Sequence, residues 1–351
     1  MSPDPLRYQC LNDEQAAVAE AAELTFASST PSAGEGWSGI SIPEELGGSG
    51  GGATELAAVV EALGAATSDS PLAWTLAVFA AVLLQADRRP DTLLADIARG
   101  TLNASIPISP GADEGLLLVH PTSDGRITGS FLALGAPRAT LALPVLVDGT
   151  EALALIHPDQ DGVAATAVTG LDASRPWTKC DLREVRLSCE SLHPVSGLTA
   201  KLHRVLGIYA ALDAVGAARK ALERTLSYAR VREQFGRPLG SFQAYKHACS
   251  TAFISLKLAQ SVSFRAATTP GDEGLRYALA SAVDATASAT RVCMTAIQLH
   301  GGIGFSAESG LDRYLRRSRA DELIVGRRHS MGALVHTLSA VRTANHEEER
   351  A

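Results

Sequence analysis

The sequence predicts an α+β protein in three parts: an N-terminal helical domain over 1–100, a small middle β-barrel domain over 101–195, and a C-terminal four-helix bundle over 196–351. Three observations carry this. Ala- and Leu-rich stretches with apolar residues three and four apart fill both ends of the chain, and these residue types cost least in a helix. Between them the pattern shortens to apolar runs punctuated by Asp124-Gly125, Asp148-Gly149 and Asp161-Gly162, as strands joined by tight turns require. The 351 residues also exceed what one hydrophobic core ordinarily serves.

In chain order, Glu14 to Phe26 reads as an Ala-rich helix. Gly36 to Gly48 is a buried segment that then turns, and a Gly/Ser stretch runs on to Gly52. A helix from Thr54 to Leu63 follows, with Gly64 as its expected C-cap. The glycines from 47 to 52 read as a flexible turn. A phosphate cradle would need a preceding strand and a lysine within the loop, and neither is obvious. The runs Gly115–His120, Leu141–Asp148 and Ala152–His157 read as strands, and Asp181–Leu187 alternates as a half-exposed strand does.

Beyond residue 198, apolar positions from Leu202 to Ala229 describe one long helix. Phe242 to Ala267 gives a second, stopping at Thr268-Thr269-Pro270-Gly271. Leu275 to His300 gives a third, closed by Gly301-Gly302, and Leu311 to Val341 supplies a fourth. Short connections between long helices make an antiparallel bundle.

A net charge of −7 with interspersed signs gives no broad basic footprint for nucleic acid. No apolar run reaches the roughly 18 residues that span a bilayer; the best, Leu72 to Leu84, is too short, and Met1 to Glu14 carries no signal-peptide core. Five scattered cysteines without a CxxC pair read as reduced thiols of a cytoplasmic protein, with no metal site.

Two turns in the helical zone carry chemistry. In Arg230–Gln243 one helix is expected to end near Phe235-Gly236 and the next to begin near Ser241 as N-cap. Arg232, Gln234, Arg237 and Gln243 surround Phe235, and guanidinium groups beside free helix N–H groups favour phosphate oxygens. A solvated loop between helices accounts for the same residues. In Gln298-Leu299-His300-Gly301-Gly302-Ile303-Gly304-Phe305 the glycines let backbone approach a flat ligand and adopt positive φ, with Gln298 able to hydrogen-bond it. A helix C-cap followed by a tight turn describes that stretch equally well.

Together the two turns are more specific. RxxFGxxLxxFQ, followed by QxxGGxGF and an arginine-rich helix, resembles the C-terminal domain of acyl-CoA dehydrogenases. GWxGIxIPEELGGxG with Glu61-Ala62-Leu63-Gly64 is similar to their N-terminal helical domain, and Leu171-Asp172-Ala173-Ser174-Arg175 to the end of their β-domain. The resemblance covers nearly the whole chain in order. It implies an acyl-CoA dehydrogenase-like fold that binds FAD, oxidises an acyl-CoA thioester to the trans-2-enoyl-CoA and passes electrons to an electron-transfer flavoprotein. It also implies that Arg232, Gln234, Phe235, Gln243, Gln298, Gly301 and Gly302 contact the FAD of a neighbouring subunit.

The family's catalytic glutamate precedes a glycine about twenty residues after the GGxGF turn; here that position falls at Val325-Gly326. A second family position falls at Leu206, so the resemblance assigns no catalytic residue to this chain. Asp321 and Glu322 lie close in sequence, one turn before that position rather than at it. The flavin-contacting stretch of the middle domain corresponds to Ser105–Ala112 and Ile127–Phe131, and its expected tryptophan is absent, since Trp37, Trp74 and Trp177 lie elsewhere. Some family members, notably in actinobacterial steroid breakdown, are heterotetramers in which one subunit supplies the base and its homologous partner supplies the turns. The chain resembles that partner. A self-sufficient homotetramer with a relocated carboxylate such as Glu322, or a catalytically inactive structural homologue, are the alternatives.

Overall fold

The computed structural model describes residues 11–27, 36–108 and 118–325. The N-terminal helices are α1 (Asp13–Ala27), α2 (Ala53–Ala66), α3 (72–83, π-helical over Thr75–Ala80) and α4 (Asp91–Ala98). Seven strands follow: β1 (Ala104–Ile108), β2 (Arg126–Leu134), β3 (Thr140–Val147), β4 (Thr150–Ile156), β5 (Val163–Val168), β6 (Trp177–Arg186) and β7 (Leu192–Pro194). They form one sheet in the order β5-β6-β2-β1-β3-β4-β7, antiparallel except for the β1–β3 pair. The expected barrel is thus a curled sheet whose order has two ends, β5 and β7. Its own apolar core includes Ile127, Phe131, Leu143, Val145 and Val185.

The Asp-Gly pairs do what their chemistry predicts. Asp148 and Gly149 both take positive φ, 48° and 77°, and connect β3 to β4 with Val147 opposite Thr150. That is the primed geometry whose twist matches the flanking strands. Of the expected strand Gly115–His120, residues 115–117 lie outside the described residues; Val119 makes a parallel bridge to Val145. β5 carries no alternation of buried and exposed apolar residues that the sequence pattern could reveal, because it is an edge strand with mostly exposed or half-exposed side chains.

The C-terminal helices are α5 (Leu198–Val231), α6 (Gln243–Thr268), α7 (271–300, π-helical over Ser281–Ala285) and α8 (Asp312–Ile324). The expected fourth helix extends to Val341, and the part beyond residue 325 lies outside the described residues. At 34 residues α5 is about 50 Å long. One large core runs from α1 through α2, α3 and β1 to the first half of α5, and a second fills the bundle of α5, α6, α7 and α8.

Gly64 is not a C-cap. It lies inside α2, and Thr67 closes that helix in the left-handed region with φ 49°. A Cβ on Gly64 would fall 2.1 Å from the Asp213 carbonyl oxygen, and one on Gly216 would fall 2.0 Å from that of Glu61. The two glycines therefore let α2 and α5 cross with their backbones in contact, a demand that a single sequence cannot distinguish from capping.

Candidate functional site

The arginine turn differs from its expected form. The helix ends at Val231, four residues before Phe235, and residues 233–238 form a hairpin in which Glu233 pairs with Pro238 and Gln234 with Arg237. Phe235 and Gly236 occupy its tip, with φ of 54° and 78°. A phenylalanine pays a steric cost at positive φ, and here its ring is also 92 % exposed. Ser241 is not the N-cap of α6; Phe242 holds that position, and the Ser241 hydroxyl donates to the Pro238 carbonyl at 2.7 Å. Gln243 is thus the first residue of α6, and its side chain is exposed. Arg237 lies over the Phe242 ring at 4.1 Å, and Phe242 meets Phe235 edge-on at 6.2 Å. Gln234 donates its amide to the Glu233 carbonyl. Arg232 and Gln234 are both exposed on this hairpin.

The glycine turn sits beside it. The helix ends at His300, and Gly301 reverses the chain with φ 63° and ψ −143° into a 3-10 turn over Gly301–Phe305. A Cβ at Gly301 or Gly302 would meet nothing within 4 Å, so this backbone is open to an approaching surface. Gly304 is different: a Cβ there would strike the Ile297 carbonyl at 2.3 Å, which ties the turn back onto α7. Gln298 is exposed on the last turn of the helix. His300 donates its Nδ1–H to the Ala296 carbonyl, 2.8 Å away, and stacks on Tyr228 at 4.4 Å. Burial pushes its pKa below the usual histidine range. A small apolar cluster of Ala229, Tyr245 and Cys249, with Leu239, Phe242 and Leu299 against it, lies between the two turns. The structure thus brings all seven sequence-predicted residues to one end of the bundle, around the C-terminus of α5.

An exposed guanidinium, three exposed amides, an exposed aromatic and an open glycine backbone fit a ligand with a pyrophosphate and flat rings, as FAD has. All of them are exposed on the surface of this chain.

The two positions that correspond to the family's base are hydrocarbon and packed. Leu206 and Val325 are 4 % and 9 % exposed, and both belong to the large core. The nearby carboxylates are engaged elsewhere. Glu322 accepts from Arg319 at 2.6 Å. Asp321 is fully buried and bonds to Arg175 at 2.6 Å. It belongs to a cluster with Asp172, Ser174, Tyr209, Asp213 and Arg317 that joins α5, α8 and the segment between β5 and β6. Arg317 grips Asp213 with two bonds of 2.7 and 2.9 Å. Burial alone would raise the Asp213 pKa, but Arg175 and Arg317 overcome it and hold the carboxyl below the usual range. Sequence reasoning did not foresee this cluster, although a charged Asp213 on the apolar stripe of α5 was its visible signal.

The acyl-CoA dehydrogenase N-terminal domain model matches residues 11–87, and the C-terminal domain model of the same family matches residues 207–337. The probable acyl-CoA dehydrogenase YngJ of Bacillus subtilis is 30 % identical over 317 residues, which cover 82 % of this chain and 83 % of that protein. The chain belongs to the acyl-CoA dehydrogenase family, whose members are FAD-dependent oxidoreductases. In fold it is similar to the ChsE4–ChsE5 complex of Mycobacterium tuberculosis, with a TM-score of 0.75, 20 % identity and coverage of 98 % of this chain and 100 % of that one. The Tcur3481–Tcur3483 steroid ACAD, a G363A variant, gives a TM-score of 0.81 at 22 % identity over 94 % of this chain and 99 % of that one.

Proposed function

We propose that this chain is the base-deficient subunit of a heteromeric acyl-CoA dehydrogenase. In this reading it lends the Arg232 hairpin and the Gly301-Gly302 turn to an FAD whose reacting ring lies in a homologous partner. The observation that carries the proposal is the state of the carboxylates. In the register read from the sequence, Val325 and Leu206 stand where the family places its base, and Asp321 and Glu322 are both bonded to arginines. The candidate of the relocated-base alternative, Glu322, is the one paired with Arg319. Support for a two-protein assembly comes from the two structural neighbours, each of which pairs two named proteins, one of them as a steroid ACAD. By that analogy the substrate is a bulky, steroid-derived acyl-CoA thioester, and an electron-transfer flavoprotein in the cytoplasm receives the electrons.

Bound FAD supplies the acceptor for the hydride that leaves Cβ of the thioester as a base takes the α-proton. The residues of this chain bind and orient. Arg232 neutralises pyrophosphate charge, Gln234, Gln243 and Gln298 supply amide hydrogen bonds, Phe235 covers an apolar face, and Gly301 and Gly302 admit the cofactor close to backbone. The absent base would hold the isolated chain about 10²- to 10⁴-fold below a complete enzyme.

Expression of the chain alone and together with a homologous dehydrogenase from a neighbouring gene tests the proposal. The pair is expected to purify yellow and to reduce a dye with acyl-CoA, while the chain alone does not. A yellow, active preparation of the chain alone overturns the reading. A colourless, inert protein in every pairing identifies a structural homologue instead.

A further inference from the structure

The buried cluster beneath α8 holds more carboxylates than guanidinium groups. Asp172, Asp213 and Asp321 are bonded to two cations, Arg175 and Arg317, and the side chains of all five are 2 % exposed or less. A net charge in such a place is strongly unfavourable, and groups so placed change protonation instead. The hydrogen bonds show where a proton would reside. Asp213 takes three bonds from guanidinium nitrogens, at 2.5, 2.7 and 2.9 Å, using both oxygens. Asp321 takes one, at 2.6 Å, and its Oδ2 has no partner. Both carboxyl groups bond the same nitrogen, Arg175 Nη2, so they lie side by side. Two adjacent carboxyls in a dry site share one proton rather than ionise together.

We infer that Asp321 is a carboxylic acid in the folded protein at neutral pH, making the cluster electroneutral and giving the junction of the β5–β6 segment, α5 and α8 a proton-dependent lock. The groups around Asp321 agree with this. From α5 come Asp213 and Tyr209, whose hydroxyl is buried without a partner; from α8 comes Arg317, while the Ser318 hydroxyl is turned to the Tyr314 carbonyl. Arg175, Asp172 and Ser174 approach from the segment before β6, and Cys293 of α7 contacts Ser318 at 3.5 Å. Burial raises the Asp321 pKa well above the carboxylate range, with the Asp213 charge opposing ionisation further.

The sign of the pH effect follows. An unfolded aspartate loses its proton near pH 4 (about 3.9), so above that range folding takes up one proton at Asp321. The stability contributed by this group is full in acid and declines as pH rises toward its folded pKa. Asp213 contributes in the opposite sense, present above the carboxylate range and lost in acid. Infrared spectra of the full-length protein, with thermal unfolding followed between about pH 5 and 9, read both. Asp321→Asn is expected to remove one carboxylic-acid carbonyl band present in the wild type. Its unfolding temperature should lie closest to the wild type at the acid end of that range and gain on it steadily as pH rises. Asp213→Asn should unfold far earlier or fail to fold, because two buried guanidinium groups lose their counter-charge and one accepting oxygen. If the wild type has no acid band that D321N removes, or if D321N is damaged as heavily as D213N, the proton is not there and the inference falls. The outcome is independent of the catalytic reading.

Discussion

Arg232 is the residue on which the cofactor reading leans most. Charge-assisted hydrogen bonds contribute about 1.5–3 kcal/mol each, so Arg232→Ala should weaken FAD retention by the pair roughly 10- to 150-fold, measured by flavin released on gel filtration. The fold should be untouched, since the side chain is exposed. His300 offers a second check. Its pKa is lowered by burial, so the neutral ring belongs to the folded state and the unfolded chain takes up a proton first as pH falls. Its contribution is full above the ordinary histidine range, about pH 6.5, and is lost as pH drops through the range below it. Unfolding temperatures of wild type and His300→Gln should therefore converge on acidification. Of these residues, Arg232 and Gly301 stand out in the sequence through the resemblance of their turns to the family pattern, since either turn alone reads equally well as a loop or a cap. The hairpin that carries Phe235 was not, since six residues with an exposed apolar tip offer no periodicity to read.

At the scale of elements, long helices were the most readable feature. α5, α6 and α7 follow from apolar spacing because each must bury one face over many turns. What the pattern hid is where backbones touch. Gly64 looked like a helix stop because glycine favours the left-handed region, while its actual role depends on α5, about 150 residues away in sequence, which no local window contains. Gly64→Ala should cost about 1–3 kcal/mol through forced separation of α2 and α5, seen as a lower midpoint in denaturant with an unchanged slope. Substitution of Gly302, where a Cβ meets nothing, should leave stability alone and affect only flavin binding. A fall in stability there equal to that of G64A would contradict the open cradle. The π-helical stretches in α3 and α7 were also invisible, because one inserted residue shifts the helical phase without removing its apolar face.

For the molecule as a whole, buried ion networks join parts that the sequence presents separately. Arg219 on α5 bonds Glu61 of α2 at 2.9 Å, Glu223 of its own helix at 2.7 Å, and Glu23 of α1, while Gln260 of α6 completes the partners of Glu61. Arg219→Leu leaves Glu61 buried without its cation, and the expected loss is about 3–5 kcal/mol, measurable by chemical unfolding. Division into helical, sheet and bundle regions could be read from the changing period, but this interdependence could not, because a charged residue in an apolar stripe does not reveal its partner. The cluster around Asp213 extends the point to the order of synthesis. Arg175 bonds Asp321, 146 residues later, and at about 5–20 residues per second a ribosome needs roughly 7–30 s to deliver the second after the first. For that interval Arg175 has only Asp172 and Asp213 as partners, and Asp213 waits for its second cation, Arg317. The cluster is complete only when α8 delivers Arg317 and Asp321, so a junction laid down early in synthesis takes its last charges from the late-made end of the chain.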